Sequence, residues 1–358
     1  MTTSRKQVFE NMTVDYVEFY VGDIDEHLGW LVDGYGFAVR AATGAGESRV
    51  RSVCVGQGGI DLLITEPVEG DHPAAAYVAR HDSGVANIGL RVPDAALAYT
   101  TAVRGGARPV APPAERDGIV TATIIGFGDV THTFVQRPDS SAAHDSHGLV
   151  AAPGADGHTG TGLSQVDHFA VCVEPGTLRE TVEYYQRALD FDLTLSEKIE
   201  TGAQAMFIDV VQNKSRAVTL TLIEADVSKE AGHLDDFMKD HGGPGVQHMA
   251  FSTDDILTSV RGIGERGVEL LSTPEAYYDA LVDRVLPDRH TVEELRALDI
   301  LLDSDHDGQL YQIFAKSVHP RNTIFLEIIE RAGARTFGSS NIKSLYEAVE
   351  TQRNRDGN

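Results

Sequence analysis

Two runs rich in β-branched and aromatic residues share one pattern: Val14-Asp15-Tyr16-Val17-Glu18-Phe19-Tyr20-Val21 and Val166-Asp167-His168-Phe169-Ala170-Val171-Cys172-Val173. Each reads as a strand. Each is followed by a helix-like segment that closes in a turn, HLGWLVDGYGF in the first half and TVEYYQRALDF in the second. The match continues with Gly84-Val85-Ala86-Asn87-Ile88-Gly89-Leu90 against Gly245-Val246-Gln247-His248-Met249-Ala250-Phe251. Both are followed by an Asp and an amphipathic helix ending near RGGARPV or ERGVELL. A last run, Thr133-Phe134-Val135-Gln136-Arg137, aligns with Glu327-Ile328-Ile329-Glu330-Arg331. The chain therefore reads as tandem copies of one α+β unit. Adjacent strand-like runs, AQAMFIDVVQ and RAVTLTLIEA, predict hairpins and a mixed, curled sheet. Each half is expected to be a pair of βαβββ units with a ligand pocket on the concave side.

A stretch rich in Gly, Ala, Ser and His separates the copies and has little apolar area to bury. The expected organisation is 1–140 as the first module, 141–162 as linker and 163–358 as the second module. The second copy is longer because of an insertion, roughly 275–308, in which HTVEELRALDILLD has helical spacing. A length of 358 residues suits two such modules. With 42% hydrophobic and 23% charged residues the composition is that of a globular protein. The net charge of −24 opposes a phosphate backbone, so nucleic acid is not an expected partner. Cys54 and Cys172 sit in apolar strand-like runs and are read as packed thiols. The first residues lack the apolar stretch of a signal peptide and no segment approaches a membrane span, so the expectation is a cytoplasmic protein without membrane contact.

Comparing the copies exposes the chemistry. The three aligned strand positions are Tyr16, Asn87 and Thr133 in the first half, but His168, His248 and Glu327 in the second. Only the second set can bind a metal. Two imidazoles and one carboxylate on one face leave adjacent positions open, the arrangement that Fe(II) oxygenases use. A carboxylate buried among the apolar residues of IFLEIIE is costly without a cation. The alternative is three unrelated residues, with Glu327 paired to Arg331 or Arg335. Asp303-Ser304-Asp305-His306-Asp307-Gly308 begins like an EF-hand loop, but Phe314 stands where a bidentate Glu is required, so it reads as an Asp-rich turn. His81, His132, His158 and His306 have no partners at ligand spacing and are expected at the surface.

The blocks VDHFAVCV, GGPGVQHMAFST, DGQLYQIFAKSVHPRNTIFLEIIERAG and TFGSSNIKSLYEAVE carry a resemblance to the 4-hydroxyphenylpyruvate dioxygenase family that runs over nearly the whole chain. The resemblance implies tandem vicinal-oxygen-chelate modules, the second an open barrel around Fe(II). It also implies O2 as co-substrate, an α-keto acid that chelates the metal itself, and a homodimer. Ile342 stands in TFGSSNIKSL where the family's dioxygenases carry Phe. Thr221 and Ile223 stand where the homogentisate-forming branch has Pro and Asn. All three imply benzylic hydroxylation of 4-hydroxyphenylpyruvate to 4-hydroxymandelate, a precursor of hydroxyphenylglycine in peptide antibiotics, instead of homogentisate formation. Gln247 and Gln312 match glutamines near the bound keto acid, and Phe337 matches an aromatic wall; Gln312 also reads as a satisfied core amide. Ile208 and His233 replace a serine and a glutamine of the family pattern. A pocket without donors there selects weakly for a hydroxylated ring, which leaves phenylpyruvate or a branched aliphatic analogue open unless His233 compensates. The run SSNIKSLYEAVE starts with Ser caps and is expected to be a helix closing over the iron. Extradiol ring cleavage on the same fold and a non-enzymatic binding module are the other readings. The C-terminal block argues against the first, and the full triad against the second.

Overall fold

The computed structural model describes residues 7–44, 49–153 and 160–344. The first half comprises α1 (Gln7–Glu10), β1 (Thr13–Tyr20) and α2 (Ile24–Leu28), which continues as a π-helical turn over Gly29–Gly34. Then come β2 (Ala38–Ala42), β3 (Val50–Gln57), β4 (Ile60–Pro67), α3 (Pro73–His81), β5 (Gly84–Arg91), α4 (Ala95–Arg104), β6 (Pro109–Arg116), β7 (Ile119–Phe127) and β8 (Val130–Gln136). A short β9 (Val150–Ala151) precedes the second half. That half opens with β10 (Leu163–Cys172), α5 (Leu178–Leu189), β11 (Asp192–Thr201), β12 (Gln204–Gln212) and β13 (Thr219–Ala225). It continues with α6 (His233–His241), β14 (Gly245–Thr253), α7 (Ile256–Glu265), α8 (Glu275–Arg284), α9 (Val292–Ala297), β15 (Leu301–Ser304), β16 (Gln309–Phe314) and β17 (Phe325–Ala332).

Each half thus contains the βαβββ unit twice. The sheets run β6-β7-β8-β5-β1-β4-β3-β2-β9 and β11-β12-β13-β10-β14-β17-β16-β15. Both are mixed: β1 pairs with β4 in parallel and with β5 antiparallel, and β10 repeats this with β13 and β14. Alternation along β10 sends Phe169 and Val171 into the main core, while Ala170 and Cys172 join a separate cluster on the concave face. On α5, Leu178, Val182, Tyr185 and Leu189 recur at helical spacing and are buried together. Its close neighbour is α4, where a Cβ at Gly105 would lie 2.5 Å from Arg187 O. Only glycine admits that approach.

Several local expectations change. In HTVEELRALDILLD only Val292–Ala297 is helical, and the LLDS that closes the stretch is β15. Its buried Leu301 and Leu302 pair with β16, so sheet contacts override helical spacing. Within 141–162, β9 pairs with β2, and Thr161 N donates to Gln57 Oε1 at 2.7 Å. His81 and His132 are buried, not at the surface. His81 and His241, the last residues of the equivalent helices α3 and α6, stack with ring centroids 4.4 Å apart where the halves meet. His132 Nε2 lies 2.8 Å from the Tyr185 hydroxyl across the same boundary. His306 is exposed, and His158 lies outside the described residues. Cys54 and Cys172 are buried free thiols. Among the described residues no helix is long and apolar enough to cross a membrane.

Candidate metal centre

The centre is built on three adjacent strands. His168 on β10 pairs across from Ala250 on β14, and Ala250 pairs across from Glu327 on β17. His248 precedes Ala250 by two residues, so its side chain shares that face. Register shifts interrupt the β10–β14 ladder on both sides of His168, and such bulges re-aim a side chain. His168 Nε2 and His248 Nε2 lie 3.3 and 3.5 Å from Glu327 Oε2. One donor atom from each of the three falls within 4.8 Å of the others.

The surroundings fix which nitrogens are offered. Asp167 Oδ1 stands 2.8 Å from His168 Nδ1, so that nitrogen carries the proton and Nε2 faces Glu327. Asp167 is in turn gripped by Arg331, whose Nε and Nη2 donate to its two oxygens at 2.7 and 2.8 Å. Those bonds hold the Asp167 carboxyl below its ordinary range despite burial. On the other side, Gln247 Oε1 lies 3.2 Å from His248 Nδ1.

Glu327 is 2% exposed, and among the described residues its ion-pair partners are only the two imidazoles. Arg331 is committed to Asp167, and Arg335 pairs with Asp307. Without a cation the buried carboxylate must draw its balancing charge from a ring. Burial opposes a charged His168, yet Glu327 and Asp167 lift it to about 9. His248 is pushed well below its ordinary value by burial and then by His168. A divalent cation at this point supplies the charge and lets both rings stay neutral, so the donor set fits Fe(II).

The equivalent positions of the first half are closed by hydrogen bonds. Asn87 Nδ2 donates to the Tyr16 hydroxyl at 3.1 Å, and Thr133 Oγ1 donates to Asn87 Oδ1 at 3.1 Å. Gly89, opposite Tyr16, makes room for the ring: a Cβ there would meet it at 2.3 Å. Glu18 joins this cluster through Asn87 and Thr65. The Asp–Arg pair, in contrast, occurs in both halves, as Asp15 with Arg137 and Asp167 with Arg331.

A cavity of about 490 Å³ opens beside the triad. Ile208, Ile223, His233, Gln247, His248 and Ile342 line it. Burial pushes His233 down, so a neutral imidazole faces the space. Thr221, Gln312 and Phe337 stand back from it. Thr221 pairs across from Ala170, and among the described residues neither its hydroxyl nor Gln312 Oε1 has a hydrogen-bond partner. The Phe337 ring stands edge-on to His168 at 5.3 Å, with the Arg331 guanidinium 4.8 Å from its centroid. Sequence reasoning missed Asp167 and Arg331, although the Asp before the first ligand position and the Arg four after the third recur in both copies. It also missed Phe325, which stacks on His248 at 4.9 Å, and Phe314 on the cavity wall. The Asp-rich turn binds backbone: Asp305 accepts from Asp307 N, Gly308 N, Arg335 N and Thr336 N, tying down the segment after β17. A helix begins at residue 339; the rest of the run expected to close over the iron, from 345 on, lies outside the described residues.

The family model described as "Hydroxyphenylpyruvate dioxygenase, HPPD, N-terminal" matches residues 9–146, and that of the "Glyoxalase/Bleomycin resistance protein/Dioxygenase superfamily" matches 165–308. A 4-hydroxyphenylpyruvate dioxygenase of Dictyostelium discoideum is 31% identical, over 96% of this chain and 99% of that protein. One of Yarrowia lipolytica is 29% identical, over 96% and 93%. The structure of a triple-substitution variant of 4-hydroxymandelate synthase from Streptomyces coelicolor superposes with a TM-score of 0.84 at 42% identity, covering 95% of this chain and 98% of that one.

Proposed function

The chain belongs to the 4-hydroxyphenylpyruvate dioxygenase family, and on that premise we propose that it converts 4-hydroxyphenylpyruvate and O2 to 4-hydroxymandelate and CO2 with Fe(II). His168, His248 and Glu327 are the residues that hold the metal, which when bound activates O2 and offers chelating positions to the 2-oxo acid. Asp167 and Gln247 keep both Nε2 lone pairs aimed inward. The Gln247 amide nitrogen, on the cavity wall, supplies orientation for the keto acid and its co-substrate, while Gln312 stands behind that wall against Gly338. Ile208 and Ile223 give the aryl group an apolar slot, and the neutral His233 is a hydrogen-bond partner for a phenol. Residues 163–358 are read as the catalytic module, 1–140 as its metal-free counterpart, and 141–162 as the connection.

Ile342 carries the choice of product. It lies on the cavity wall in one apolar cluster with Ile208, Ile223 and Phe337. An aliphatic residue leaves space into which the ring tilts, bringing the benzylic carbon toward the metal; an aromatic residue fills that space and presents the ring carbon.

Phenylpyruvate is a second substrate to weigh, because two isoleucines line the slot. Turnover of 4-hydroxyphenylpyruvate, phenylpyruvate and a catechol tests the reading, with CO2 and O2 measured together. One CO2 per O2 from the keto acids and no reaction of the catechol is expected. Ring opening of the catechol without CO2 release would overturn it.

A further inference from the structure

Ile342 sits on the helical turn 339–344, and much of what fixes that turn comes from α8. Asn341 is fully buried, and its Oδ1 accepts from the Tyr277 hydroxyl at 2.8 Å. The same hydroxyl oxygen accepts from Leu302 N at 2.9 Å and Arg284 Nη2 at 3.0 Å. Arg284 Nη2 also donates to Leu302 O at 2.9 Å, and Nη1 reaches Ser344 Oγ. Tyr277 is 2% exposed, so the bonds of its hydroxyl are shielded from water, whereas Arg284 lies at the surface.

The start of the turn is pinned independently. Gly338 has φ +76° and packs so closely that a Cβ would lie 2.3 Å from Gln312 Oε1. Its carbonyl accepts from both Asn341 N and Ile342 N. Ile342 is thus clamped between Gln312 on the metal-bearing sheet and Tyr277 on a helix for which the first half has no counterpart. Neither Tyr277 nor Arg284 lines the cavity.

We propose that Tyr277 and Arg284 are positioning residues: through Asn341 and Ser344 they set how deeply Ile342 enters the cavity, and so which carbon of the substrate is hydroxylated. This rests on the reading of Ile342 given above. It assigns the insertion a part in product choice that is separate from the metal ligands.

The test uses the iron-loaded full chain with 4-hydroxyphenylpyruvate, reading product ratio, O2 consumed per CO2 released, KM and iron content. Tyr277→Phe removes the hydroxyl and keeps the ring. Tyr278→Phe is its control, because that hydroxyl donates to Ile300 O at 3.2 Å and does not reach the turn. Tyr277→Phe is expected to lower the ratio of benzylic to other products by about fivefold, the scale of one buried hydrogen bond, and to uncouple O2 use while iron content and KM hold. Arg284→Gln, at an exposed position, should move the same way. Tyr278→Phe should retain the wild-type ratio and coupling. Unchanged ratio and coupling in Tyr277→Phe and Arg284→Gln would overturn the proposal, as would an equal change in Tyr278→Phe. If the unsubstituted enzyme forms homogentisate, the reading of Ile342 fails, and the coupling contrast between the two Tyr→Phe variants still decides whether α8 positions the turn.

Discussion

His168 Nδ1 lies 2.8 Å from Asp167 Oδ1, the carboxylate of its own neighbour in sequence. Adjacent residues on a strand normally face opposite ways, and the bulge beside His168 is what brings the two groups together. Asp167 and its Arg331 clamp have a counterpart in the first half, where Asp15 pairs with Arg137 beside Tyr16, which is no ligand. The Asp–Arg pair therefore has a structural duty common to both modules and an orienting duty in the second alone.

Substituting the two aspartates separates those duties. Asp15→Asn strands Arg137 and should lower unfolding stability by about 3 kcal/mol without changing iron affinity. Asp167→Asn should cost similar stability and weaken iron binding by about 10- to 100-fold. Denaturant unfolding and competitive Fe(II) titration measure the two effects.

Glu327 should link metal to stability. Chelation of iron is expected to lower the Tm of the unsubstituted protein, because a ligand bound only to the folded state stabilises it by mass action. In Glu327→Gln the metal-dependent part of Tm should vanish. A Tm in that variant that still rises with Fe(II) would place the metal elsewhere.

Product choice should follow the side chain at 342. Ile342→Phe fills the space beside Ile223 and Phe337 and is expected to move product from 4-hydroxymandelate toward ring-attacked species. Chromatography with mass detection gives the ratio, and an unchanged ratio removes Ile342 from the account.

The closed cluster of the first half should give a pH-dependent stability. Burial raises Glu18 to about 7, against the bonds from Thr65 and Asn87. The folded protein thus holds a proton that the unfolded chain releases near 4.5. The Glu18 contribution is fully present below about 4.5 and is lost as pH rises through about 7. At roughly 1.4 kcal/mol per pH unit, the loss amounts to about 3 kcal/mol. Glu18→Gln cannot ionise, so its stability relative to the parent should increase from pH 5 to pH 8. Urea unfolding of metal-free protein across that range measures the difference.

The repeat was readable in the chain because ligand positions are local: each falls at a fixed offset within a strand pattern, and comparing Tyr16 with His168 is enough to find one. The Asp–Arg pair was equally visible, since both of its members recur, but its meaning needed the bulge. Burial of His81 and His132 was not readable, because it comes from packing between halves, against His241 and Tyr185. The anchoring of Asn341 by Tyr277 likewise joins segments 64 residues apart with no pattern to announce the contact. For β15 the apolar spacing favoured a helix, and pairing with β16 decided otherwise.

The most direct measurement loads the protein with Fe(II) under anaerobic conditions, adds 4-hydroxyphenylpyruvate, admits O2 and identifies the product. Formation of 4-hydroxymandelate with one CO2 released per O2 consumed is the predicted result; homogentisate as the principal product would contradict the account.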